Sequence, residues 1–508
     1  MQTLPSDPEP APESCGLALA PFRGIRYAPD RVSGIANVTS PPYDVIGPDT
    51  VERLLASEPH NVVRLILPGA GSAQPPRGPA AGPAGTAGGP AGVAADAAAR
   101  AAGAAERNRS AASTLRDWLT SGVLRRDPRP ALYAYEQSLP ANGRSAAETE
   151  DGTGWDVVQR GLIGALRLVP PAAPSVLPHE DVMPGPVEGR RELMEATQAN
   201  LEPIFLLYDS SEDLSESAAG GGMTRPEPAG AGPGRAAEAR GTATRLVDEV
   251  AATREPLLSA VTDDGIRHRL WAVTDPAEHA LVAGDLAPRS ALIADGHHRY
   301  AAYLKLQARR RSAGGGAGPW DYGLAFLVDS AAYPPWIGAI HRVIPGLPPA
   351  RAAEMAKSAF SVRPVPGSLD GALPALADAG RDAAAFLITD GAEQYLLTDP
   401  RPDRLAEAMP ADHSPRWQGL SASILRELLI TQVWQLHDEE PEVVVVPGDA
   451  AAAVRAAGQA GGSAVICNPT SAADVRAVAA NGERMPRKST SFGPKPRTGI
   501  VMRTLAHH

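Results

Sequence analysis

Short apolar runs of strand length alternate along this chain with stretches whose apolar residues recur every three or four positions, and that alternation points to mixed α/β or α+β structure. The strand candidates are 62–67, 131–135, 161–168, 204–208, 269–273, 291–294, 324–328, 385–388, 443–446 and 464–467. Helical spacing marks 50–57, 110–121, 189–198, 242–255, 300–309, 350–359 and 421–434. A single core stops growing near ~250–300 residues, so 508 residues call for more than one packed unit. No repeat of solenoid length is visible.

Between these elements lie stretches too poor in aromatic and β-branched residues to offset the entropy of ordering them. Residues 69–105 and 211–240, rich in Ala, Gly and Pro, are expected to be flexible insertions, and 312–318 a Gly-rich loop. The hydrophobic fraction is 43% and the charged fraction 21%, so the chain folds, but not along its whole length. Net charge is −10 and no basic block is long enough to follow a phosphate backbone, which argues against nucleic acid as a partner. No apolar stretch approaches the ~18 residues of a membrane span, and residues 1–13 lack the order of a secretion signal. A cytoplasmic protein is expected. Two cysteines, Cys15 and Cys467, in such different surroundings predict neither a disulfide nor a thiolate-held metal.

The chemistry concentrates at Asp295-Gly296-His297-His298-Arg299-Tyr300. Apolar 291–294 reads as a buried strand, Asp295-Gly296 as a sharp turn, and Arg299 onward as a helix. A strand, glycine turn and helix start present backbone N–H groups at a positive dipole end, which favours an anion. Arg299 can grip two phosphate oxygens, and His297 and His298 can donate hydrogen bonds or move protons near neutral pH. The plainer reading makes Asp295 a helix cap and Arg299 a surface ion pair. Two imidazoles beside a guanidinium favour a site. The same imidazoles point about 100° apart on a helix and make a poor metal chelate.

Three further clusters accompany this turn. Ser40-Pro41-Pro42-Tyr43-Asp44 presents Tyr43 and Asp44 from a proline-stiffened bend, or is simply a turn ahead of a helix. His179-Glu180 offers a base and an acid together, although a solvated loop explains it equally. The 485–495 stretch, with Lys488, Ser489, Thr490 and Lys495, has the makings of a polar flap over a charged ligand, and 499–502 after it reads as a strand.

Together, Pro21-Phe22-Arg23-Gly24, the 40–46 segment, Asn61-Val62-Val63-Arg64-Leu65, His179-Glu180, Asn200-Leu201-Glu202-Pro203-Ile204-Phe205, the 295–300 turn, His341-Arg342 and the 485–495 stretch resemble, in that order, the bacterial and archaeal family catalogued as domain of unknown function 1015. The resemblance covers nearly the whole chain apart from the insertions. Its Asp-Gly-His-His-Arg turn is similar to the signature of the ParB/sulfiredoxin-like superfamily, whose members bind nucleotide phosphates there. The resemblance implies a disordered 1–16, a ParB/sulfiredoxin-like core over 17–310, and an additional mixed-sheet α/β region over 320–508 that includes the 485–495 flap. His297 stands where sulfiredoxins carry their reactive cysteine, so thiolate chemistry is excluded. The acidic charge and the lack of a helix-turn-helix candidate argue against ParB-type DNA clamping.

What the resemblance implies is a nucleotide-dependent phosphotransferase acting on a small hydroxyl-bearing metabolite, with free-serine kinases as the nearest analogy. Asp295, Gly296, His298 and Arg299, with Lys488, Ser489, Thr490 and Lys495, would hold ATP or ADP, and a magnesium ion would be shared by Asp295 and Glu180. Asp44 or Glu180 would take the acceptor proton, and His297 could carry a transient phosphoryl group. The alternatives are a nucleotide-sensing binding protein without turnover and a phosphate-ester hydrolase. Substrate identity and oligomeric state are not legible in the residues.

Overall fold

The computed structural model describes residues 16–70, 90–141, 154–170, 173–211 and 240–505, and of 90–100 the backbone alone. Of the expected disordered 1–16 all but residue 16, and the body of the 211–240 insertion, lie outside the described residues. The chain forms two compact units. The first comprises Met1–Val176, Val182–Pro334 and Pro494–His508, and the second Leu177–Asp181 and Pro335–Gly493. The 485–495 stretch therefore divides between them after Gly493.

In the first unit, strands Ala291–Asp295, Ile204–Tyr208, Tyr322–Asp329, Trp155–Arg167, Leu132–Pro140, Arg267–Val273 and Leu258–Val261 lie side by side in that order. Ile204–Tyr208 and Tyr322–Asp329 run parallel, and their other neighbours antiparallel. The residues of Ile204–Tyr208 are all apolar or aromatic and all buried, as a strand covered on both faces requires. Beneath the sheet, Trp271, Tyr300, Tyr303 and Leu306 share one core with Leu132, Ile204 and Leu327. Helices Pro184–Thr197 and His297–Ser312 pack against each other within this unit. A smaller sheet joins Leu124–Arg126, Gly24–Tyr27, Met502–Thr504 and Ala199–Asn200.

The second unit is built on an antiparallel sheet ordered Ser361–Pro364, Gln394–Thr398, Phe386–Thr389, Ser463–Cys467, Ile340–Ile344 and Val444–Pro447. One face buries Phe360, Phe386 and Leu428, and the other Val343, Leu387 and Ile466. The mixed α and β content expected from the alternation is what both units show.

Three expectations fail. Residues 62–67 are not a strand, because Val63–Ile66 is a short helix. The Asn61 carboxamide accepts from the Val63 N–H at 3.0 Å and donates to the Asn37 carbonyl at 2.7 Å, which closes the turn. Complete burial of Val63, Leu65 and Ile66 gave this helix the apolar run of a buried strand. Nor is all of 69–105 flexible, since helix Pro90–Thr120 begins inside it. Alanine has the highest helix propensity, and here it extends the amphipathic 110–121 segment backwards. The C-terminal strand is Met502–Thr504 rather than 499–502, because Gly499 turns the chain at φ +92°.

Candidate functional site

Strand Ala291–Asp295 ends in an irregularity. Ile293 pairs with Leu206, but Asp295 pairs with Phe205, so the register shifts by one residue just before the turn. Gly296 follows at φ +92°, a left-handed conformation that glycine adopts without strain. A Cβ there would stand 2.9 Å from Ile204 Cγ2 and 3.1 Å from Arg299 Nε, so space demands glycine as well. Helix His297–Ser312 starts at this corner with no side-chain cap and no acid in its first turn. Asp275, Ser368, Ser414, Asp449 and Ser471 cap their helices with a side chain, while the helices after Gly47, Met183, Gly241 and Pro348 start, like this one, without such a cap. Here the cap position is Gly296, which has no side chain, and the acid before it, Asp295, is engaged otherwise.

The Asp295 carboxylate is buried between two cations, with one oxygen bonded to Arg299 Nη2 and the other to Lys495 Nζ. Burial by itself would raise its pKa, but Lys495 and Arg299 outweigh burial and hold it below the usual carboxylate range. Burial likewise works against the charge on Lys495, and Asp295 and Asp44 restore it and raise its pKa. Arg299 is 1% exposed. Its Nη1 donates to the Pro203 carbonyl at 2.6 Å, and its Nε is buried without a partner. Burial acts to lower the Arg299 pKa, while Asp295, Glu202, Asp44 and Tyr43 raise it overall.

A second layer surrounds this pair. Glu202 accepts from the Tyr43 N–H at 3.1 Å and from Thr498 Oγ1 at 3.3 Å, and Arg190 Nη1 stands 3.6 Å from its other oxygen. Burial pushes the Glu202 pKa up against the pull of Arg299 and Arg190. The Arg190 guanidinium lies 4.1 Å above the Tyr43 ring and that of Arg299 5.9 Å from its centre. Burial pushes the Tyr43 hydroxyl up to about 12. Beside them a small crevice, with room for about one water molecule, is lined by Arg190, Glu202 and Arg299 over Leu193, Met194 and Leu201.

The first unit thus brings together Asp295, Gly296, His297, His298, Arg299 and Lys495, with Asp44 exposed and near enough for its charge to act on Arg299 and Lys495. The geometry changes some of their expected roles. Arg299 spends both Nη groups inside the protein, so in this state it frames the corner instead of forking onto a guest. The Met183 N–H donates to His298 Nε2 at 3.1 Å, which makes that nitrogen an acceptor and leaves Nδ1 as the protonated one. His297 is buried. Both Asp295 oxygens are taken, and among the described residues no group of three or more His, Cys, Asp or Glu could hold a metal ion. The residues present do not fit the magnesium expected at Asp295 and Glu180.

Glu180, Lys488, Ser489 and Thr490 belong to the second unit. There Thr490 Oγ1 donates to Glu180 Oε1 at 3.2 Å and stands 2.9 Å from His179 Nε2. Sequence reasoning gave Glu202 no role, although its place before Pro203, at the threshold of an all-buried apolar strand, is one where a charge needs partners.

A family model described as "Protein of unknown function (DUF1015)" matches residues 19–80, 94–228 and 236–423. No curated protein matches the chain. Among solved structures, SbnI with a C-terminal truncation from Staphylococcus aureus is 12% identical, covering 64% of this chain and 81% of its own, with a TM-score of 0.29. A free serine kinase in complex with AMP is 13% identical, covering 64% and 88%, at 0.29. A conserved hypothetical protein from Pyrococcus furiosus is 12% identical, covering 65% and 92%, at 0.30. Likeness at these scores carries no argument about function.

Proposed function

Since the matched residues make up well over half of the chain, it belongs to the DUF1015 family, and from that premise we propose that its first unit binds a nucleotide through its phosphates at the Gly296 corner and passes a phosphoryl group to a small hydroxyl-bearing metabolite. One observation carries this reading. The helix after Gly296 starts without a side-chain cap, while the acid that precedes it is locked away between Lys495 and Arg299. A helix start left in this way favours an anionic guest.

ATP or ADP would be held by the backbone of the first helical turn and the ammonium of Lys495. Lys495 spends one of its three N–H groups on Asp295. Positive charge at the transferring group would come from Lys495 and the helix start, that is, from the chain itself. Asp44, exposed at the edge of the corner, is the base that would accept the hydroxyl proton. Arg299 and Glu202 act as positioning residues that hold Asp295 and Tyr43 in place.

Incubation of the purified protein with γ-labelled ATP and a pool of small alcohols and hydroxy acids tests this. Asp44→Asn is expected to keep nucleotide binding and to lose at least a hundredfold in transfer, within the usual ~10²–10⁴ contribution of a general base. Transfer that persists in Asp44→Asn removes the base assignment. The second reading, a nucleotide-responsive binder without turnover, draws on the commitment of Asp295 and Arg299 to each other, which leaves the buried corner without a free base. Saturable binding with no labelled product favours it. Phosphate release without any acceptor would instead indicate hydrolysis.

A further inference from the structure

Arg342 leaves strand Ile340–Ile344 of the second unit with its side chain 4% exposed. Nε donates to Asp438 Oδ1 at 3.0 Å, and Nη2 donates to the carbonyls of Arg487 at 3.3 Å and Lys488 at 3.1 Å. Nη1 is buried with no hydrogen-bond partner. Ser489, bonded directly to the second of those carbonyl groups, is 8% exposed, and its Oγ is likewise buried without a partner. Covalent connection places both groups in one neighbourhood. Folded proteins answer nearly all such buried groups, so two on adjoining segments leave donors open to a guest.

The chemistry of that guest follows from what is offered. Arg342 Nη1 carries two N–H donors and the Ser489 hydroxyl one more, a set matched by an acceptor-rich group. Asp438 already balances the charge of Arg342, so the attraction for a negative guest comes from the rim. Lys488 and Arg487 are exposed there; Arg487 pairs with Glu439 at 3.6 Å, so the rim's attraction for an anion rests on Lys488. From these we propose that the second unit carries an oxyanion site of its own, formed by Arg342, Lys488 and Ser489, which takes the carboxylate or phosphate group of a small molecule. Thr490, which donates to Glu180, follows Ser489 in the same loop. The site rests on observations within the second unit and does not require the first-unit reading.

Equilibrium dialysis of the full chain against labelled inorganic phosphate, and separately against labelled acetate, tests the proposal and tells the two anion sources apart. Saturable binding of at least one anion is expected. It should weaken about tenfold in Ser489→Ala, as removal of one hydrogen bond to a charged group does, and similarly in Arg342→Lys, which keeps the charge and removes Nη1. Arg381→Gln, at an exposed cation elsewhere in the second unit, should leave this binding unchanged. A second readout is thermal. Without anion, Ser489→Ala should melt no lower than the unaltered protein, having lost only an unanswered hydroxyl, whereas added anion should raise the melting temperature of the unaltered protein more. Absence of saturable binding by either anion overturns the proposal. So does equal affinity in Ser489→Ala and the unaltered protein, or loss of binding in Arg381→Gln alone.

Discussion

Asp295 stands just before the Gly296 cap position, after a shift of register in its strand, and its carboxylate bonds Lys495 and Arg299. Its pKa lies below the usual carboxylate value, so its contribution to stability is fully present above about pH 4, the unfolded value, and is lost as pH falls through the folded one. Asp295→Asn takes the bonded carboxylate from buried Arg299 and half-buried Lys495 and should cost about 3–5 kcal/mol at pH 7. Urea unfolding at pH 7 and pH 3 checks the sign, because the gap between variant and unaltered protein should narrow in acid. A gap that widens in acid contradicts the arrangement. Gly296→Ala tests the corner itself. The left-handed φ and the contact with Ile204 predict a loss of about 1–3 kcal/mol, measured by the same unfolding, while Ala at exposed Gly185, where a Cβ meets nothing, should cost far less.

Elements were legible wherever periodicity and punctuation agreed. Strands 204–208 and 291–294 and the helix after Gly296 could be read because apolar runs of strand length meet a glycine turn and then change period. The 62–67 run misled because a short buried helix and a buried strand present the same apolar face, and only Asn61 closing the turn separates them. The alanine stretch misled in the opposite way, since composition that cannot build a core can still build a helix. Ala105→Pro, exposed in the Pro90–Thr120 helix, should cost about 3 kcal/mol locally. Hydrogen exchange across 101–110 should change from protected to fast, whereas equal exchange in both proteins would mean that this segment is not helical. At the site, the Gly296 corner was legible, but the burial of Arg299 was not. A side chain that pairs inward at i−4 and one that reaches outward share the same sequence, and the choice depends on Pro203 and Lys495, far along the chain.

At the scale of the molecule, the chain carries net charge −10 and gathers its site cations in paired clusters, not along a stripe. Duplex DNA at physiological salt should therefore bind more weakly than the ~10⁻⁴–10⁻⁶ M of ordinary non-specific binders, as fluorescence anisotropy would show. No helix among the described residues is long and apolar enough to cross a membrane. The ligand assigned to the Gly296 corner is small, and its binding should stabilise the chain by ~2.7 kcal/mol at one hundred times its dissociation constant. The most direct test is titration calorimetry of ADP into the full chain, with Lys495→Gln and Ser489→Ala alongside. One saturable site is expected, weakened at least tenfold by Lys495→Gln and left intact by Ser489→Ala. Equal affinity in Lys495→Gln and the unaltered protein, or no heat of binding in any of the three, would contradict nucleotide binding at the corner.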